Sequence, residues 1–334
     1  MKVFGLVALL LVGLGIGSSV AQAPTWEWER TFGGSNWDWG YSVQQTSDGG
    51  YILLGATWPF GAGSADAWLI KTDALGNIEW EKTFGGSDWD EGRSVQQTHD
   101  GGYILLGYTS SFGAGSADAW LIKTDALGNI EWERTFGGRD GDWGSSVQQT
   151  SDGGFILLGS TSSFSAGRGD VWLIKTDALG NIEWERTFGG RDGDGGRSVQ
   201  QTHDGGYILL GGTESFGAGW ADVWLIKTDA QGNIEWEKTF GGRGWDVGSS
   251  VQQTSDGGFI LLGSTSSFGA GWADFWLIKT DAKGNKLWDR VFGGSRHDYG
   301  HSVQQTHDGG YILLGSTWSF GAGYYDFWLI KYRP

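Results

Sequence analysis

Short apolar runs separated by glycine-rich turns recur along this chain at a fixed interval. In one stretch Tyr103 to Gly107 and Ala119 to Thr124 are apolar almost throughout, Ile130 to Phe136 alternates, and Ser94 to Thr98 is mostly polar. Each run is strand-length, and the turns between them carry Asp100-Gly101-Gly102 and Asp125-Ala126-Leu127-Gly128-Asn129, which supply the tight or positive-φ positions of hairpins. The pattern predicts four strands, here named A (Ser94–Thr98), B (Tyr103–Gly107), C (Ala119–Thr124) and D (Ile130–Phe136). Continuously apolar B and C need cover on both sheet faces. In D, Ile130, Trp132 and Phe136 take one side while Glu131 and Glu133 take the other, which reads as an outer strand whose charges discourage edge pairing.

This unit occurs six times at 52 residues with no insertion or deletion, as Gly76-Asn77-Ile78-Glu79-Trp80 and Gly128-Asn129-Ile130-Glu131-Trp132 illustrate. A sheet polar at both margins and apolar in the middle, repeated at that period, is a propeller blade between two neighbours. The expected fold is all-β, a six-bladed β-propeller with four antiparallel strands per blade. The sixth unit stops after its third strand, at Phe327-Trp328-Leu329-Ile330-Lys331, and the first unit is preceded by Trp26-Glu27-Trp28-Glu29-Arg30-Thr31-Phe32, a fourth strand without its first three. Ring closure by the N-terminal strand completing the last blade is therefore expected, since an open array would need atypical end units.

Alternation within the sixfold pattern gives a 104-residue double unit. Copies two, four and six carry His99, His203 and His307 before the Asp-Gly-Gly turn and Arg93, Arg197 and His301 before strand A, where copies one, three and five have Ser47, Ser151 and Ser255 in the first of those places.

The first 23 residues read as a secretory signal, with Lys2, an apolar run from Val3 to Ile16 and Ala21-Gln22-Ala23 at the cleavage point. The domain plan is 1–23 signal peptide and 24–334 propeller, and the expected location is secreted, periplasmic or on the cell surface. Without Lys2 the chain has 22 basic against 39 acidic residues, a formal charge of −17. That balance argues against nucleic acid as a partner, and loss of the signal leaves no membrane insertion. With no cysteine, an exported chain must be held by packing alone, and 22 Trp and 17 Phe supply the apolar area.

The turn between C and D, as in Asp281-Ala282-Lys283-Gly284-Asn285-Lys286-Leu287-Trp288, resembles the tryptophan-docking motif of quinoprotein-type (pyrroloquinoline quinone dehydrogenase-like) propellers, in which an Asp, a turn Gly and a Trp four residues later lock adjacent blades. The Gly-to-Trp spacing matches, and the Asp-to-Gly spacing is one residue shorter. The chain also resembles secreted bacterial and archaeal repeat proteins with Asp-Gly-Gly-Tyr and Trp-Leu-Ile-Lys segments. The resemblance implies the propeller; the chain shows no counterpart of the asymmetric quinone site, so no quinone cofactor is expected.

Most motifs have structural readings. Lys71 and its five counterparts should face the glutamate across the C–D hairpin, as Lys71 faces Glu79, with Leu287 breaking the pattern in the fifth copy. His99, His203 and His307 stand on alternate blades about 17 Å apart, too far for one metal ion. Loops such as Arg139-Asp140-Gly141-Asp142-Trp143-Gly144 faintly resemble calcium loops but lack their full oxygen alternation, so no cofactor is expected and calcium stays a minor alternative. The aspartate common to all copies (Asp38, Asp90, Asp142, Asp194, Asp246, Asp298) suits capping of turn amides and is also a candidate ligand contact.

The B–C linkers and D–A connections fall on one rim and carry most of the variation between copies. Nine Trp lie there: Trp37, Trp39, Trp58, Trp89, Trp143, Trp220, Trp245, Trp272 and Trp318. Trp beside Asp, Asn and Arg on a concave rim suits stacking on sugars or holding a protein partner. The sequence therefore supports an exported, monomeric, non-enzymatic binding or scaffold propeller for glycans or cell-surface proteins. The alternative is a secreted enzyme acting on polysaccharide or an alcohol at the axial end of the same rim, for which no nucleophile and base pair stands out.

Overall fold

The computed structural model describes residues 28–58, 64–321 and 324–334; the expected signal segment lies outside them. All regular structure among the described residues is β. Five sheets have four antiparallel strands in the order A-B-C-D, and the sixth has the three strands A-B-C. In blade 2 the strands are A (Asp90–Gln97), B (Tyr103–Thr109), C (Asp118–Thr124) and D (Ile130–Phe136). The six-bladed, all-β propeller read from the sequence is thus the fold. Strand A begins four residues before its expected start, because a bulge between Gly92 and Ser94 keeps Asp90 to Gly92 in register with strand B. Residues assigned to a loop, Glu91 and Arg93 among them, are therefore held on a sheet.

Apolar B and C strands are sandwiched between blades, as their pattern requires. Ile52, Leu54, Ala67, Leu69 and Phe84 of blade 1 pack on Val95, Tyr103, Leu105, Trp120 and Ile122 of blade 2, and equivalent clusters join each later pair up to blades 5 and 6. Trp80 of strand D reaches across to the C–D turn of blade 2, where a Cβ on Gly128 would lie 2.7 Å from its ring; φ at Gly128 is +76°. That contact is the docking arrangement the turn sequence resembles, and it recurs for Trp132, Trp184 and Trp236 against Gly180, Gly232 and Gly284.

Five of the six strand C lysines are buried, and Lys331 in the three-stranded blade is exposed. Lys71 Nζ meets Glu79 at 2.7 Å, as expected, and also Asp48 of the A–B turn at 2.9 Å. Where Leu287 replaces the glutamate, Lys279 keeps only its Asp256 partner, at 3.0 Å. The other strand D glutamate is not merely a solvent-facing charge: Glu133 accepts from Trp120 Nε1 at 3.0 Å.

Polar strand A is innermost, and its serines and glutamines stitch the blades together. Ser42 Oγ accepts from Val95 N at 3.2 Å, and Gln44 Oε1 accepts from Gln97 N at 2.6 Å. Both bonds repeat at every junction up to blades 5 and 6. The six A strands surround one channel, narrowed by Val43, Gln44 and their counterparts.

The last blade has three strands among the described residues. Of the segment expected to supply the fourth, Trp26 and Glu27 lie outside the described residues and Trp28 to Phe32 hold no strand. Phe327 and Leu329 of blade 6 are 88% and 64% exposed, whereas their counterparts Phe275 and Leu277 are fully buried. Val43 on the facing side of blade 1 is also 64% exposed. Five of the six contacts a closed ring requires are thus formed among the described residues.

Candidate functional site

The rim is built by the shared aspartates. Asp142, first residue of strand A in blade 3, accepts from Gly138 N at 2.8 Å and Ser163 Oγ at 2.7 Å through Oδ2. Its Oδ1 takes the Thr161 hydroxyl and Ser163 N. One carboxylate thus ties the D–A connection to the B–C linker of its own blade. Asp90, Asp246 and Asp298 make the same set and are fully buried, and Asp194 is nearly so. Asp38 keeps the Thr57 and Gly34 bonds in a more open setting. The capping role read from the sequence is therefore present, and these carboxylates face inward.

Tryptophans on this rim form two groups and a lining. Trp37, Trp39, Trp58 and Trp89 make a chain of ring contacts with centroids 5.7 to 6.0 Å apart. Trp272 and Trp318 flank His297, at 5.4 and 6.0 Å. Trp220 lies against Trp245, and both are substantially exposed. Trp143, Trp245 and Trp272 line a central cavity of about 1330 Å³ that opens at this rim. Rings left wet on a concave surface, while Trp120 and its counterparts are buried, are placed to meet something from outside.

The cavity has an electrostatic character that opposes the whole chain's. Its ionisable lining residues are Tyr41, Arg93, Tyr108, Arg197, His297, Tyr299 and His301, with no carboxylate among the described lining residues. Behind the wall sits Glu91, 2% exposed and present only in blade 2. Arg93 Nε lies 2.7 Å from Glu91 Oε1, while Oε2 accepts from Tyr108 Oη at 2.7 Å and Trp89 Nε1 at 3.1 Å. The Arg93 guanidinium also stacks 4.2 Å over Tyr41, whose phenol lies close to the same carboxylate. Burial and then the bond to Glu91 push the Tyr108 phenol up to about 12, and they raise Tyr41 further. Burial, followed by the like charge of Arg93, lowers Arg197, and burial lowers His301.

Seven of the nine rim Trp lie outside the strands as expected, whereas Trp39 and Trp143 stand on strand A of blades 1 and 3, and the cavity lining with Arg93 and Arg197 went unassigned as a site. Its only sequence signal was the alternation of Arg93, Arg197 and His301 with the uncharged Tyr41, Ser145 and Ser249, because nothing in one dimension shows that strand A faces an axis. His99, His203 and His307 lie in the A–B turns, away from that lining, with His99 N bonded to Gln149. Among the described residues no group of three or more His, Asp or Glu is arranged to hold a metal ion.

No protein-family model matches the chain, and no curated protein does. Solved structures similar to it include a Bacteroides caccae protein of unknown function, 13% identical with a TM-score of 0.48 over 80% of this chain and 83% of that one. A calcium-binding protein, regucalcin, from Agrobacterium tumefaciens is 12% identical, with a TM-score of 0.44 over 83% and 81%. A glucose dehydrogenase is 11% identical, with a TM-score of 0.44 over 88% and 99%.

Proposed function

We propose that this chain is an exported, non-enzymatic binding propeller that works as a monomer and recognises glycans of a polysaccharide or cell surface through the aromatic rim and the cavity it encloses. The observation that carries this reading is the placement of Trp143, Trp245 and Trp272 as exposed rings around one cavity of about 1330 Å³. Indole faces stack on pyranose rings, and a cavity of this width admits several sugar units. Glycoside hydrolysis by paired carboxylates would need two acids facing the cavity, and its described lining has none. The Trp groups at blades 1 to 2 and 5 to 6 add separate contact points, so that a polymer would be held by avidity.

The test is a glycan array probed with the full chain and with a Trp143→Ala, Trp245→Ala, Trp272→Ala triple variant. Retention of defined glycans by the wild type and a loss of at least tenfold in the variant is the expected result. Sugar release from a retained glycan, or equal retention by the variant, would overturn the proposal.

A further inference from the structure

Blade 2, with Tyr41 of blade 1 stacked on its arginine, contains a complete anion receptor whose anion is its own Glu91, held by Arg93, Tyr108 and Trp89. Blade 4 repeats the arginine and omits everything it holds. One double unit later, Arg93 becomes Arg197, while Trp89, Glu91 and Tyr108 become Gly193, Gly195 and Gly212 and Tyr41 becomes Ser145. At positions 195 and 212 little refills the space. A Cβ at Gly195 would meet only Ser160 Oγ, at 3.1 Å, and one at Gly212 only the Val247 side chain, from 3.3 Å. Arg197 has no ion pair or side-chain hydrogen bond among the described residues, although the chain is strongly acidic. Glu214 stands beside Gly193, 3.5 Å from the position of its Cβ, and does not pair with Arg197. Ser145, Ser160, Gly195, Arg197 and Trp143 all line the central cavity.

We propose that this notch binds the carboxylate of a sugar acid, with Arg197 as its counter-ion and the pyranose ring in the space that Tyr41 and Tyr108 fill in blade 2. The inference rests on the glycan reading and narrows it to acidic glycans containing uronic acid. An exposed guanidinium in the cavity wall, without an ion-pair partner and with no carboxylate in the described lining, offers an anion a bidentate charged contact that water cannot match. The internal precedent gives the geometry: a carboxylate rooted at position 91 reaches the arginine of the same strand, so one entering above Gly195 reaches Arg197.

The experiment is calorimetric titration of the full chain with uronic-acid trisaccharides (galacturonate, mannuronate and glucuronate-containing), their methyl esters, and sodium acetate. It is repeated on Arg197→Gln and Gly195→Glu, the second of which rebuilds the blade 2 ion pair inside the notch. The wild type should bind at least one acidic trisaccharide 1:1, with a loss of at least tenfold on esterification and in each variant, while both variants keep the wild-type Tm or exceed it. Unchanged binding in both variants overturns the inference, as does binding of neutral glycans with none of the acids; the glycan reading survives either result if the Trp variant loses retention. Arg197-dependent binding of acetate as tight as that of the sugar acids, with no glycan retained on the array, overturns the glycan reading and the sugar-acid assignment together.

Discussion

Asp142→Ala separates a carboxylate that builds the rim from one that meets a ligand. The side chain accepts from Gly138 N, Ser163 N, Ser163 Oγ and the Thr161 hydroxyl, and it is fully buried. The two hydroxyls can turn to other acceptors once the carboxylate is gone; the two main-chain amides cannot. At about 1 to 2 kcal/mol for each amide that loses a charged acceptor, the variant should lose about 2 to 4 kcal/mol. Part of that is returned, because Asp118 lies on the other side of Gly137 with its Oδ1 unpartnered, and removing Asp142 relieves the repulsion between them. A net loss of about 2 kcal/mol is therefore expected in urea unfolding followed by Trp fluorescence, with an unchanged m-value. Asp142→Asn, which keeps one acceptor oxygen, should fall between the variant and the wild type. An unchanged midpoint for Asp142→Ala together with lost glycan retention would refute this reasoning and place the carboxylate in the binding surface.

Three further outcomes follow from the same geometry. Lys175→Met should change stability by less than about 1 kcal/mol, since Asp152 and Glu183 are about half exposed and return to water while the methionine keeps the buried stem; a loss above about 3 kcal/mol in urea unfolding would contradict that. Burial opposes ionisation of Asp100 and Asp152, yet the Thr98 and Thr150 hydroxyls and Lys123 and Lys175 prevail and hold both at about 2, so the stability they add is present above the unfolded value near 4 and is lost as pH falls from about 4 through about 2. Asp170 and Asp274, raised mainly by burial, oppose that trend as they take up protons, so circular dichroism should show unfolding confined to the region below pH 4, and loss of structure above pH 5 would sink the assignment. In an alkaline absorbance titration Glu91→Gln should lower the late-ionising phase to which Tyr108 belongs, near pH 12 in the wild type, because a neutral amide no longer disfavours the phenolate; an unchanged titration would show that Glu91 does not govern it.

The chain's period, its hairpin turns and the alternation of apolar and polar runs determined the propeller, because strand pairing within a blade and cover on both faces of B and C are local requirements that each 52-residue unit states in full. The Lys71–Glu79 ion pair was legible because turn length brings hairpin neighbours together, although a register shift sets Trp80 directly across from Lys71 and Glu79 beside it. What joins separate turns of a blade, and one blade to the next, was decided only by tertiary structure. Asp48 reaches Lys71 from a different turn, Ser42 and Gln44 bond to amides about 53 positions away, and Glu91 draws Tyr41 of blade 1 and Tyr108 of blade 2 to one carboxylate. The cationic cavity is the clearest case. Arg93, Arg197 and His301 are scattered over more than 200 residues of an acidic sequence, and they share a lining only because six A strands surround one axis. Charge summed along a chain says nothing of which side chains a fold turns toward the same space, and it is that convergence that sets the field a ligand meets.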